Sequence, residues 1–181
     1  PKPKRESIVW SSDFAYAIGL IASDGNLSSD GRHLSVVSKD REQLDNLKKC
    51  LGLTVAISNH SAGKAGKNRT YFRMQWGDVV LYQFLETIGL TPRKSLTLKE
   101  ILIPDEYFFD FLRGSYDGDG CFYSYYDTRW PDSFMFYLCF VSASEAHMVW
   151  LQETIKRLGG VVGRMSSSKR GSGVFSLRYA K

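Results

Sequence analysis

Apolar residues in this chain alternate between a helical and a strand period, and the alternation runs through the same order twice. Residues 16–27 (YAIGLIASDGNL) and 111–122 (FLRGSYDGDGCF) are apolar, glycine-spaced runs that each end in a small residue, an aspartate and a glycine. Ala15, Gly19 and Ser23 fall at i, i+4 and i+8 of the first, and Gly114 and Gly118 form the same stripe in the second. Glycine inside a helix costs roughly 0.5–1 kcal/mol against alanine. Two helices that carry it in register therefore predict close backbone contact between them.

After the first run, 27–30 and 33–38 read as a hairpin around Asp30-Gly31, and 41–51 as an amphipathic helix with Leu44, Leu47 and Leu51 inward, closed by Gly52. Strands follow near 54–59 and 70–76, the latter with Phe72, Met74 and Trp76 on one face and Tyr71, Arg73 and Gln75 on the other. A helix at 78–88, started after Trp76 and ended by Gly89, completes the half. Residues 90–104, with two prolines and no clear period, read as a connector in which Arg93 and Lys94 are within reach of phosphate. The second half repeats the order: a motif helix at 105–118, strands at 122–128 and 134–141 around 129–133, a helix at 144–158, and strands at 161–166 and 174–179. Ser12 or Asp13 is the expected cap of the first motif helix. The expected fold is α+β: pseudo-twofold αββαββ(α) halves at 1–89 and 105–181 joined by 90–104, the final helix of the second absent, with two antiparallel four-stranded sheets.

Composition narrows the partners. A hydrophobic content of 43% over 181 residues is enough to bury a core. A net charge of +5 and a pI near 9.1 favour an anionic partner. Both long inter-strand loops, 61–69 (SAGKAGKNR) and 167–173 (SSKRGSG), are glycine-rich and basic through Lys64, Lys67, Arg69, Lys169 and Arg170. The three cysteines form no CxxC and no Cys/His cluster, which argues against zinc or a disulfide framework and for a reducing, intracellular setting. No apolar run approaches membrane-spanning length, and 1–5 (PKPKR) is too short and polar for a signal peptide.

If the two motif helices pack about the pseudo-twofold, their C-terminal ends bring Asp24 and Asp119 together. Two carboxylates at the negative ends of two helix dipoles require a cation, and a divalent ion with hard oxygen ligands suits them. An EF-hand is excluded, because with Asp117 as first ligand the twelfth position is Thr128 rather than glutamate. Either copy alone is also a glycine-capped helix whose Asp-Gly starts a turn; their repetition is what points to a shared site.

With these residues, 17–25 (AIGLIASDG) and 112–120 (LRGSYDGDG), the chain resembles the LAGLIDADG homing endonucleases in their single-chain, two-motif form. The resemblance covers nearly the whole chain, and it departs at the sixth motif position of the first copy, where Ala22 stands and the second copy has Asp117. It implies that Asp24 and Asp119 hold the metal, helped by the backbone carbonyls of Ser23 and Gly118. It also implies a polar residue and a lysine after the second strand: Lys39 fits the lysine, Ala143 does not, and Ser38 and Ser142 stand at the polar position. The cofactor so implied is Mg²⁺, with Mn²⁺ as a substitute and Ca²⁺ binding without cleavage. The partner is a long pseudo-palindromic DNA duplex taken by a monomer on a saddle of two sheets and cut to leave short 3′ overhangs, in intron or intein mobility. The faces offered to DNA carry Arg32, His33, Ser35, Tyr71, Arg73 and Gln75 in one half and Tyr123, Tyr125, Tyr137, Ser176 and Arg178 in the other, with the basic loop tips beside them. Two rival readings of the same fold stay open: an intron RNA-splicing maturase, whose RNA binding survives Asp24→Asn, and a DNA-binding protein without cleavage.

Overall fold

The computed structural model describes residues 7–61, 70–168 and 173–180. The basic tip residues Lys64, Lys67, Arg69, Lys169 and Arg170 lie outside the described residues. The chain divides into two compact units, Pro1–Arg93 with Leu102–Gly118, and Lys94–Ile101 with Asp119–Lys181. Among the described residues no helix is long and apolar enough to cross a membrane.

In the first unit, Ser11 accepts the Phe14 N–H at 3.1 Å and opens α1 (Ser12–Asp24), one residue ahead of the expected caps. The strands are β1 (Gly25–Leu27), β2 (His33–Ser38), β3 (Ile57–Ser61) and β4 (Thr70–Gly77), and the helices between and after them are α2 (Arg41–Cys50) and α3 (Val79–Thr87). The sheet is antiparallel in the order β1-β2-β4-β3, so β2 and β4 are central. Leu27, Leu34 and Trp76 form one register row, 3%, 1% and 4% exposed, which marks the apolar side. The first hairpin strand sits earlier than expected. The Asp30 carboxylate accepts the Arg32 and His33 N–H groups at 3.0 and 2.9 Å, which commits the residues around it to the turn.

The second motif helix also belongs to the first unit, up to Gly118. It enters through a 3-10 turn at Asp105–Tyr107 and runs as α4 (Phe108–Asp119). The glycine stripe does what its spacing implied. A Cβ built on Gly19 would overlap the Phe111 carbonyl oxygen and lie 2.6 Å from the Ser115 nitrogen; one on Gly114 would overlap the Tyr16 carbonyl oxygen and lie 3.1 Å from the Leu20 nitrogen. The backbones of α1 and α4 are thus in direct contact, and Ala15, Ala17, Ile18 and Leu20 are fully buried along α1.

The second unit holds β5 (Cys121–Asp127), β6 (Trp130–Ser142), β7 (Arg164–Ser168) and β8 (Val174–Ala180) in the antiparallel order β5-β6-β8-β7, with α5 (Glu145–Gly159) supplying Met148, Leu151 and Ile155 to its core. Residues 129–133 are not the loop the sequence suggested. Asp127 accepts the Arg129 N–H at 2.9 Å and also binds its guanidinium, so the chain reverses tightly and β6 is already extended at Trp130. The segment Lys94–Ile101 is fastened to α5: the Ser144 hydroxyl donates to the Leu98 carbonyl, and His147 Nδ1 lies 2.8 Å from the Lys99 carbonyl.

Candidate nucleic-acid interface and acidic cleft

Asp24 is the last residue of α1; the helix ends as Gly25 turns extended (φ −78°, ψ 146°), and a Cβ there would meet the Ile21 backbone, 2.7 Å from its Cα. The half-buried Asp24 carboxylate lines a cleft of about 590 Å³ together with Ser38, Lys39, Gln43, Tyr71, Asp117 and Gly118. A Cβ on Gly118 would overlap Ser23 Oγ and lie 3.4 Å from Asp24 Oδ2, so the Gly118 main chain rests against both residues. Ser23 turns its hydroxyl back to the Gly19 and Leu20 carbonyls at 3.2 Å.

The walls of the cleft are held by named contacts. Ser38 Oγ accepts the Asp40 N–H at 3.1 Å, and Asp40 caps α2 by accepting from Glu42 at 2.9 Å. That cap places the exposed Lys39 over the Tyr71 ring, its Nζ 5.7 Å from the centroid. Gln43, 8% exposed, donates from Nε2 to the Asp117 carbonyl at 2.8 Å. Tyr16 donates its hydroxyl to Asp117 Oδ2 at 2.8 Å and carries the Arg113 guanidinium on its ring face at 4.7 Å. Burial, then the Asp117 carboxylate, push the Tyr16 phenol far above its ordinary range, so it stays a donor.

In the second unit, Asp119 ends α4. Its side chain reaches solvent, yet the atoms packed around it raise its carboxyl pKa, and the Lys94 charge works in the opposite direction. Lys94 is 7% exposed in a 3-10 turn (Lys94–Leu96), just after Arg93, whose φ of 58° is left-handed. Ser142 repeats the role of Ser38: its Oγ accepts the Ser144 N–H at 3.1 Å, and Ser144 caps α5. Ala143 occupies the place of Lys39, so at this point the two halves differ in charge.

The open sheet faces follow from register. In the first unit Asn26, Ser35 and Gln75 share one row, and Val37, Arg73 and Ser58 the next. Gln75 is exposed and Arg73 half-buried, while Ser35 is only 8% exposed beneath its neighbours. Tyr71 is half-buried beneath Lys39, and Arg32 is exposed with its Nε beside Gly77. His33 Nδ1 is 2.6 Å from Asp30, whose carboxyl is pulled down to about 2 mainly by the His33 N–H and ring. In the second unit Tyr123, Tyr137 and Tyr125 stack, and Ser176 lies in a row with Val141 and Ser166. The exposed Arg178 stands over the Tyr137 ring at 5.6 Å.

The sequence did not show the role of Gln43, and it offered Lys94 to phosphate where the structure buries it. Gln43 holds the third helical position after the Asp40 cap, where a capping box would send it to its own helix end, and instead it crosses to α4. Lys94 lies in an aperiodic, proline-flanked stretch; the one signal was a lysine set among leucines in KSLTL.

No protein-family model matches the chain, and no curated protein matches its sequence. Solved structures do match in shape. I-DmoI in complex with DNA and Mn superposes with a TM-score of 0.57 at 18% identity, covering 92% of this chain and 88% of that one. The meganuclease I-SmaMI bound to uncleaveable DNA gives 0.59 at 14% identity, over 94% and 80%. The fold is the LAGLIDADG fold. It also occurs in full-length DUF199/WhiA from Thermatoga maritima, with a TM-score of 0.59, 15% identity and coverage of 96% of this chain; the present chain spans 52% of that protein. The LAGLIDADG fold is carried both by proteins named as homing endonucleases and by WhiA, so the fold alone fixes no activity.

Proposed function

We propose that this chain is a site-specific endonuclease of double-stranded DNA that uses divalent cations, with Asp24 and Asp119 as acids that hold them. The observation that carries the reading is the end of α1: a carboxylate in an open cleft with the glycine backbone of α4 against it, where any side chain would overlap Ser23. The donor set fits a hard cation. Asp24 offers carboxylate oxygen, and Ser23 and Gly118 offer backbone oxygen. When bound, the cation supplies charge neutralisation at phosphate and a more acidic water.

The remaining roles belong to the chain. Lys39 brings positive charge to the wall of the Asp24 cleft, suited to a phosphate oxygen. Lys94 acts on Asp119 instead, its charge favouring the ionised carboxylate against the burial that opposes it. Tyr16 and Gln43 hold the last turn of α4 at Asp117 from two sides. The sheet faces contact the duplex, and strand scission gives short 3′ overhangs by a monomer acting on a long, imperfectly symmetric site.

The test is selection of cut sites from a random duplex library with Mg²⁺, Mn²⁺ and Ca²⁺, comparing the wild type with Asp24→Asn and Asp119→Asn. Cutting with Mg²⁺ or Mn²⁺ and not with Ca²⁺, lost in both variants, is the expected result. Duplex binding without cutting under every metal points to a non-cleaving DNA-binding protein, and intron RNA binding that survives Asp24→Asn points to a maturase.

A further inference from the structure

We infer that the two sheets read unlike DNA sequence, the first by hydrogen bonds to purines two base-pair steps apart and the second by an aromatic stack that selects thymine methyl groups. The inference rests on the reading that the chain binds duplex DNA, and goes beyond it to the chemistry of the target.

In the first unit the open face is built for directional hydrogen bonds. Arg73 and Gln75 alternate along β4, which is flanked by β2 on one side and β3 on the other, so their Cα positions are fixed by the ladder. Residues two apart on a strand rise by about 6.6–6.8 Å, close to two base-pair steps of about 3.4 Å. Their register neighbours are short: Ser35 opposite Gln75, Val37 and Ser58 opposite Arg73. Among the described residues no carboxylate pairs with Arg73. An arginine fork matches guanine and a glutamine amide matches adenine in the major groove.

In the second unit the equivalent surface is built on stacked tyrosines. Tyr137 lies between Tyr123, at 4.8 Å and 15° between ring planes, and Tyr125, at 5.9 Å and 12°. The Tyr125 and Tyr137 hydroxyls are 3.3 Å apart and bond to each other, and Arg178 is drawn over the Tyr137 ring. By register against the core row, Arg178 stands where the first unit has Gln75, and Ser176 stands where it has Arg73. At the Arg73 position the fork that would read guanine is therefore replaced by a hydroxyl, and the guanidinium one position on lies over the Tyr137 ring. Tyr123 and Tyr125 of this stack are 39% and 45% exposed, and the base feature in the major groove that suits an aromatic surface is the thymine C5-methyl.

The experiment is selection of bound duplexes in Ca²⁺ from a random library, so that cutting plays no part, followed by affinity measurements on the selected site. The half-site read by the first unit is identified with Arg73→Met, which is expected to lose guanine preference by about tenfold or more at one position. In the other half-site, replacing thymine by deoxyuridine, which removes only the methyl group, is expected to weaken wild-type binding several-fold; the same replacement in the first half-site is expected to leave affinity unchanged. Failure to enrich any duplex overturns the DNA-binding reading itself. An enriched site at which uridine is neutral in both halves, or at which a folded Arg73→Met variant keeps every base preference, overturns the present inference and leaves DNA binding standing.

Discussion

Replacing Gly19 by alanine tests the helix pair on which the first unit is built. The new Cβ would lie 2.6 Å from the Ser115 nitrogen and overlap the Phe111 carbonyl oxygen, whereas carbon contacts settle at about 3.5–4.0 Å. Both obstacles are backbone, so no side chain can swing away and the helices must separate by about 1 Å. A gap of that size forfeits roughly a quarter to a half of the dispersion well for the atoms lining it. Overpacking of this kind costs about 1–3 kcal/mol, and a site obstructed by main chain belongs at the upper end. Alanine returns about 1 kcal/mol of helix propensity. The net loss is about 2 kcal/mol, which for a chain of this length lowers Tm by roughly 4–8 °C. Thermal melts followed by circular dichroism measure it. Gly114→Ala strikes the same contact from the other helix, so the double variant should lose less than the sum of the two. A Gly19→Ala protein that melts at or above the wild-type temperature would refute the close packing, because propensity alone would then decide the outcome.

Other consequences follow from single contacts. Gln43→Leu leaves the Asp117 carbonyl without its side-chain donor and should destabilise by about 1–2 kcal/mol in denaturant titration, with cutting reduced as the end of α4 loosens. Lys94→Met removes the charge that favours the ionised form of Asp119, so single-turnover cutting should fall about tenfold or more while duplex affinity stays within about twofold. His147 is held neutral by burial, with its pKa lowered, so the unfolded chain takes up a proton first as pH falls below about 6.5. Stability should therefore drop with acidification from that point down through the lowered folded pKa, and melts of His147→Gln over the same range should show a flatter slope.

The repeat was legible because it rests on backbone requirements that only certain residues meet. Glycines at Gly19, Gly114 and Gly118 are there because backbone or a neighbouring side chain occupies the space of a Cβ, and such positions cannot hide in a sequence. Strand faces were legible too, since Leu34, Met74 and Trp76 mark the buried side by alternation. Turn boundaries were not. Asp30 and Asp127 both look like ordinary turn residues, and where each strand starts depends on which N–H groups their carboxylates accept. At the site, Asp24, Ser38 and Lys39 do line one cleft, as motif and strand ends suggested. The roles of Gln43 and Lys94 were not legible because each acts on a residue far along the chain, Gln43 by a hydrogen bond to Asp117 and Lys94 by its charge on Asp119, and neither periodicity nor capping rules describe such partners. Asp117, unmatched by an acid at Ala22 in the first motif, turns out to accept the Tyr16 hydroxyl.

The central claim is that Asp24 and Asp119 each carry the metal-dependent scission of DNA. The direct measurement is single-turnover cutting of a selected duplex in Mg²⁺ by the wild type, Asp24→Asn and Asp119→Asn, at matched duplex binding in Ca²⁺. A loss of at least about a hundredfold is expected in each variant, the scale of removing one group that stabilises charge in the transition state, with binding retained. Undiminished cutting by either variant would contradict it.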